Sequence, residues 1–182
     1  MKRLFLAVAP SYDAQHALAA ELDAHFSDQQ LLGVLVPPSN WHITIRFLGD
    51  VGGAQRDRLS FALSDVSLGE PFDVTLEGLG AFPNARAASV LWAGVGRGQD
   101  RLTALASTVE DRLNLAGFDA NERSYVPHLS LARTRPKADV RPWLEVEPRL
   151  RVKWNVPHLT LFEAKFESGG TRYESLEIFD LG

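Results

Sequence analysis

An α+β fold is the architecture that this 182-residue sequence predicts. Three observations lead to it. Strand-like segments outnumber helical ones by more than two to one, the helical stretches carry apolar stripes, and no long linker or low-complexity tract separates them. A hydrophobic content of 45% is enough to fill one ordinary core, so residues 1–182 are expected to form a single domain.

The chain opens Met1-Lys2-Arg3-Leu4-Phe5-Leu6-Ala7-Val8-Ala9-Pro10. Two basic residues before an apolar run have the look of a secretion signal. The run ends after six residues at Pro10, short of the roughly 7–15 that a signal core requires and the about 20 that span a membrane. Leu4–Ala9 is therefore read as a buried first strand, and the protein as cytoplasmic with no membrane partner. Ser11 is placed to cap a helix reaching about Phe26, with Ala14, Leu18, Leu22 and Phe26 in line. Strands follow at Gly33–Val36 and His42–Leu48, then a helix over Ala54–Val66 built on Leu59, Ala62, Leu63 and Val66. Phe72–Leu79 and Ser89–Val95 read as strands. Asp100–Ala116 is the clearest helix: Leu102, Leu105, Ala106, Val109 and Leu113 align, and Gly117 stands where a C-terminal glycine cap belongs. His128–Ala132, His158–Phe166 and Tyr173–Phe179 complete the strands. The strand–helix–strand order that ends near His42 is echoed by the helix that leads to His128, a faint internal repeat of two similar lobes meeting at a cleft.

Composition narrows the chemistry. The sequence has no cysteine, which removes disulfides, thiolate nucleophiles, Cys-ligated zinc and iron–sulfur clusters. No H-E-x-x-H spacing is present, and no metal or other cofactor is expected. A net charge of −4 argues against a nucleic-acid coat protein, so any RNA contact must be local. Arg133, Arg135, Lys137 and Arg141, then Arg149, Arg151 and Lys153, form the segment that can supply it; the alternative is an ordinary solvated surface.

The strongest local signal is a pair of tetrapeptides, His42-Ile43-Thr44-Ile45 and His128-Leu129-Ser130-Leu131. In a strand, residues i and i+2 share a face, so each copy presents one imidazole and one hydroxyl while its aliphatic residues face the core. Two imidazoles in one cleft can hold opposite protonation states near neutral pH. One takes a proton from water while the other gives one to a departing sugar oxygen. The hydroxyls of Thr44 and Ser130, with a nearby cation, can hold the non-bridging oxygens of a phosphodiester. A third copy, His158-Leu159-Thr160-Leu161, has the same alternation, and local physics does not say which two of the three histidines are paired.

The sequence resembles the two-histidine phosphoesterases, most closely the bacterial and archaeal RNA 2',3'-cyclic phosphodiesterases also described as 2'-5' RNA ligases. The resemblance runs from Arg3-Leu4-Phe5-Leu6-Ala7-Val8 through Val36-Pro37-Pro38-Ser39-Asn40-Trp41-His42-Ile43-Thr44-Ile45-Arg46-Phe47-Leu48-Gly49 and Leu79-Gly80-Ala81-Phe82-Pro83 with Val90-Leu91-Trp92. It continues through Leu115-Ala116-Gly117-Phe118 and Pro127-His128-Leu129-Ser130-Leu131-Ala132-Arg133 to Gly170-Thr171-Arg172-Tyr173. It implies a duplicated, two-lobed fold whose antiparallel sheets line a central cleft with helices outside. It also selects His42 as the proton donor to the leaving 3'-oxygen and His128 as the base that activates water, leaving a 2'-phosphate without a metal. Thr44 and Ser130 would bind phosphate, Arg133 would contact the nucleotide, and Tyr125 is a candidate for stacking on a base. Arg46, expected on the face of His42 and Thr44, is a further candidate phosphate ligand with no family role. His158 lies where the family has no catalytic histidine. The expected partners are RNA ends or nucleotides carrying a 2',3'-cyclic phosphate, met by a monomer. Two other activities fit the same motifs, 2'-5' ligation and hydrolysis of another cyclic nucleotide. A reading of another class is a nucleotide-binding module without turnover.

Overall fold

Alternating burial along the strands sets the architecture. The computed structural model describes residues 1–26, 33–145 and 150–182. In chain order its elements are β1 (Lys2–Val8), α1 (Tyr12–Phe26), β2 (Val34–Leu35), β3 (Ile43–Val51), α2 (Gly53–Ser64), β4 (Phe72–Phe82) and β5 (Ala88–Val95). There follow α3 (Gln99–Leu115), β6 (His128–Ala138), α4 (Arg141–Leu144), β7 (Lys153–Val156), β8 (His158–Glu167) and β9 (Gly170–Asp180). The strands pair in the order β7-β4-β5-β6-β3-β1-β8-β9, with the short β2 attached to β6. Every pairing is antiparallel. The expected antiparallel sheets are thus continuous, and their halves join where Ile43 lies opposite Leu129. In each half a strand, a helix and an adjacent second strand follow in turn: β1, α1, β3 and β5, α3, β6. The two motif strands β3 and β6 are therefore the innermost pair.

One face of this sheet is closed by helices. Leu6, Val8, Ile43, Leu129, Leu159 and Leu161 are buried with Leu18 of α1 and Leu102, Val109 and Leu113 of α3 in a single cluster. Each fully buried side chain of this kind contributes roughly 1.5–3 kcal/mol. The helices start and stop as their end residues dictate. The Ser11 hydroxyl accepts the Ala14 N–H at 3.2 Å, capping α1. Gly117 takes φ +83° after α3, and the N–H groups of Gly117 and Phe118 return to the carbonyls of Asn114 and Leu113.

Two elements were not expected from the sequence. β7 is only four residues long, with Trp154 and Val156 buried and Lys153 exposed, and it pairs with β4. α4 is a single turn begun at Arg141-Pro142, too brief to show a helical period. The basic segment is accordingly divided among different environments: Arg141 is paired with Asp139 at 2.6 Å and Lys153 lies on β7, while Arg149 falls outside the described residues. No helix among the described residues is long and apolar enough to cross a membrane.

Candidate active site

Pro37 and Pro38 fix the backbone ahead of the first motif and open a short 3-10 turn, Pro38–Asn40. Asn40 is buried, and its side-chain amide donates to the Thr171 carbonyl on β9 at 2.6 Å. Its own carbonyl accepts Nδ1–H of His42 at 2.7 Å. A carbonyl can only accept, so the neutral ring carries its proton on Nδ1 and leaves Nε2 free. Thr44 Oγ1 lies 3.1 Å from that Nε2. His128 repeats the arrangement, its Nδ1 donating to the Val126 carbonyl at 2.7 Å. No equivalent bond joins Ser130 to His128 among the described residues; Ser lacks the methyl that restricts the rotamer of Thr44.

Aromatic rings back both imidazoles. His42 packs against Phe5 at 4.9 Å and edge-on against Tyr173 at 5.1 Å between ring centroids. His128 packs against Phe82 at 4.9 Å and Trp92 at 5.8 Å. All four stand in the segments that carry the resemblance, but the sequence did not place them beside the histidines. Phe5 sits in an unbroken apolar run, where alternation cannot say which face it takes, and the other three come from separate strands.

Each motif also ends in a bulge. On β3, Leu6 and Ala7 of β1 face Arg46 and Thr44, so Ile45 is the extra residue. On β6, Leu91 and Trp92 of β5 face Ala132 and Ser130, so Leu131 is extra. The bulge overturns the expected place of Arg46. Past Ile45 the alternation resets, and Arg46 leaves the face of His42 and Thr44 to form an ion pair with Glu110 of α3 at 2.8 Å and to donate to the Asp119 carbonyl. Arg46 therefore ties β3 to the helical layer, turned away from the phosphate-binding position expected for it.

The third copy is differently placed. His158 begins β8, which is separated from β3 by β1, and Leu161 is paired in regular register with Leu6. His158 makes no side-chain hydrogen bond and joins no aromatic pair among the described residues.

Burial is the largest influence on both motif imidazoles. It pulls His42 down from 6.5 to about 4, against the Asn40 carbonyl, with the charges of Arg133 and His128 adding to the fall. His128 is also lowered by burial, opposed by the Val126 carbonyl and reinforced by Arg133. Arg133 itself is exposed on β6, close enough to act on both rings. Tyr125 packs against the main core with its hydroxyl buried and without a partner among the described residues, and burial pushes the phenol well above its usual range.

Two neutral imidazoles with unprotonated Nε2 atoms, the Thr44 hydroxyl on one, Ser130 two residues along the strand from the other, and a neighbouring guanidinium can exchange protons around a bound phosphate. Among the described residues no group of three or more His, Asp or Glu is clustered as a metal site. A separate groove of about 530 Å³ between α2 and α3, lined by Phe61, Ala62 and Leu115 among others, contains no histidine.

Residues 8–92 match a family described as LigT like Phosphoesterase. The chain is 39% identical over 102 residues, 56% of each chain, to an RNA 2',3'-cyclic phosphodiesterase of Archaeoglobus fulgidus. It is 33% identical over 162 residues, 85% of each chain, to one of Aquifex aeolicus. A crystal structure of E. coli LigT complexed with NADP+ aligns with TM-score 0.80 over 99% of this chain and 97% of that one, at 26% identity.

Proposed function

The chain belongs to the LigT-like phosphoesterases of the two-histidine superfamily, and from that footing we propose that it hydrolyses 2',3'-cyclic phosphates at RNA ends. The observation that carries the reading is the matched tautomer of His42 and His128, which leaves Nε2 of each ring as its reactive nitrogen. In the proposed reaction His128 Nε2 removes a proton from water as the oxygen attacks phosphorus. The bond from phosphorus to the 3'-oxygen breaks, and His42, protonated on Nε2, gives its proton to that oxygen. Atoms balance as one water consumed and one 2'-phosphate and one 3'-hydroxyl formed, and solvent exchange resets the two rings.

Each group has a physical reason for its role. Deep burial makes His42 a strong acid once it is charged, and an incoming phosphate anion favours that charge. His128 is less deeply buried, which suits a base that meets water. Thr44 and Ser130 donate to the non-bridging oxygens, and Arg133 offsets their charge. The choice of leaving oxygen rests on the resemblance, since spacing alone does not fix it.

The test is a short RNA with a 2',3'-cyclic end, incubated in excess chelator, followed by mapping of the product. A 2'-phosphate is expected. A 3'-phosphate would keep the reaction and reverse the leaving oxygen, whereas absence of turnover would sink the proposal.

A further inference from the structure

The cleft accounts for the cyclic end, but an RNA end is attached to a chain that has to leave the site. Two routes lead out along the sheet. One passes over β1 and the β8–β9 hairpin, where the Arg3 guanidinium stacks on Phe47 and Phe166 at 5.1 and 5.8 Å. Its cations are interleaved with carboxylates: Lys2 is paired with Glu163 and Lys165 with Glu174, Arg3 lies opposite Asp50 in the ladder, and the exposed Arg172 is close enough for its charge to act on Glu174. The other route follows β6 beyond Ser130. Arg133, Arg135 and Lys137 are all exposed there, and none forms an ion pair among the described residues. Arg86 adds a further exposed cation close by, near enough for its charge to act on Asp139, and that carboxylate is already taken by Arg141.

On a chain of net charge −4, an unpaired basic row that begins at the reacting phosphate is a local feature with a direction. Thr134 is buried and its hydroxyl donates to the Ala88 carbonyl, which fixes this part of β6 and turns Arg133 and Arg135 outward together. Arg135 follows Arg133 by about 7 Å along the strand. Single-stranded RNA offers a phosphate at every nucleotide, and sequence-independent affinity comes from such contacts with release of counterions.

We propose that the nucleotides preceding the cyclic end run along β6, with their phosphates on Arg135 and Lys137. This deepens the proposed reaction and rests on it for the position of the cyclic end. These contacts are the same before and during the chemical step, so they lower KM for RNA without changing kcat.

The experiment compares the parent with the Arg135→Ala/Lys137→Ala double variant and with Arg3→Ala/Phe166→Ala. Binding is read by fluorescence anisotropy on an RNA oligomer ending in a 3'-hydroxyl, which the cleft does not consume. Turnover is read on a cyclic-ended oligomer and on a nucleoside 2',3'-cyclic phosphate. The first variant is expected to bind the oligomer roughly tenfold more weakly at low salt, with a salt slope shallower by about 1.4 for two lost phosphate contacts. Its KM should rise on the cyclic-ended oligomer and stay at the parent value on the nucleoside. Unchanged oligomer binding and slope, or an equal loss on the nucleoside, would overturn the route. A loss confined to Arg3→Ala/Phe166→Ala would overturn it in favour of the β8–β9 side. Should the parent bind the oligomer as expected, respond to the β6 substitutions and hydrolyse neither cyclic substrate, the route stands and the proposed reaction falls.

Discussion

His42 and His128 are fixed by the same contact: Nδ1 of each ring donates to the main-chain oxygen two residues upstream, at 2.7 Å in both cases. In each, the acceptor belongs to the segment that delivers the chain to its strand, and a bulge at the fourth motif residue ends the local alternation. The two rings thus enter the innermost strands in the same tautomer and with the same nitrogen, Nε2, unprotonated. That relationship makes the pair exchangeable as acid and base, and environment decides between them.

The pH dependence of kcat/KM should be bell-shaped, with its maximum on the acid side of neutrality, because both rings lose proton affinity in the free protein. Arg133 contributes to lowering both, so Arg133→Met should move the whole bell toward higher pH as well as weaken substrate. Steady-state profiles of the two proteins check this. A bell that stays in place, or moves to lower pH, would remove Arg133 from the field acting on the site.

Stability should fall in mild acid. His42 titrates near 4 when folded and near 6.5 when exposed. Above pH 6.5 neither state binds the proton and there is no penalty. As pH falls from 6.5 to 4 the unfolded chain takes up a proton that the folded chain refuses, a loss of about 3 kcal/mol that is complete below pH 4. Urea unfolding of the parent and of His42→Phe at pH 7 and pH 4.5 measures it. The variant is expected to lose less stability over that interval, and an equal loss would show that His42 does not carry the effect.

Asn40 links the first motif to the β9 strand that brings Tyr173 against His42. Asn40→Ala leaves the partly buried Thr171 carbonyl without its donor, a cost of about 1 kcal/mol, and loosens the turn whose oxygen orients the imidazole. Thermal melting should show the first effect and a lower kcat the second. A variant with the parent's melting temperature and kcat would contradict this role.

Gly80 is a packing requirement of the second motif. A Cβ at this position would overlap the ring of Trp92, which packs on both Phe82 and His128. Gly80→Ala should destabilise by about 1–3 kcal/mol through overpacking and reduce turnover as the support for His128 shifts. Unfolding curves, together with indole fluorescence to follow Trp92, test it. Parent-like fluorescence and activity would mean that the ring has room to move.

The long elements were legible because their burial has a period. The α3 stripe and Gly117 predicted both the helix and its end, and the His-x-hydroxyl alternation placed Ile43 and Leu129 in the core with the polar residues opposite. Short elements were not, since the four residues of β7 and of α4 give a period too little length. The bulges also escaped. A bulge depends on the partner strand, so nothing within Thr44-Ile45-Arg46 announces that Arg46 will turn toward Glu110. The same non-local information distinguishes the third copy. Leu161 stays in regular register with β1, whereas Ile45 is bulged against β1 and Leu131 against β5, and among the described residues His158 lacks the carbonyl contact and aromatic backing of the other two.

The most direct test of the two-histidine account is turnover of a cyclic-ended RNA by His42→Ala, His128→Ala, their double variant and His158→Ala, with folding verified by thermal melting. Each of the first two should lose roughly 10²–10⁴-fold in kcat, and the double should be little worse than the weaker single, because the pair acts as one unit. His158→Ala should remain within a few-fold of the parent. Folded His158→Ala as inactive as folded His42→Ala, with His128→Ala still turning over, would contradict the assignment of His42 and His128 as the catalytic pair.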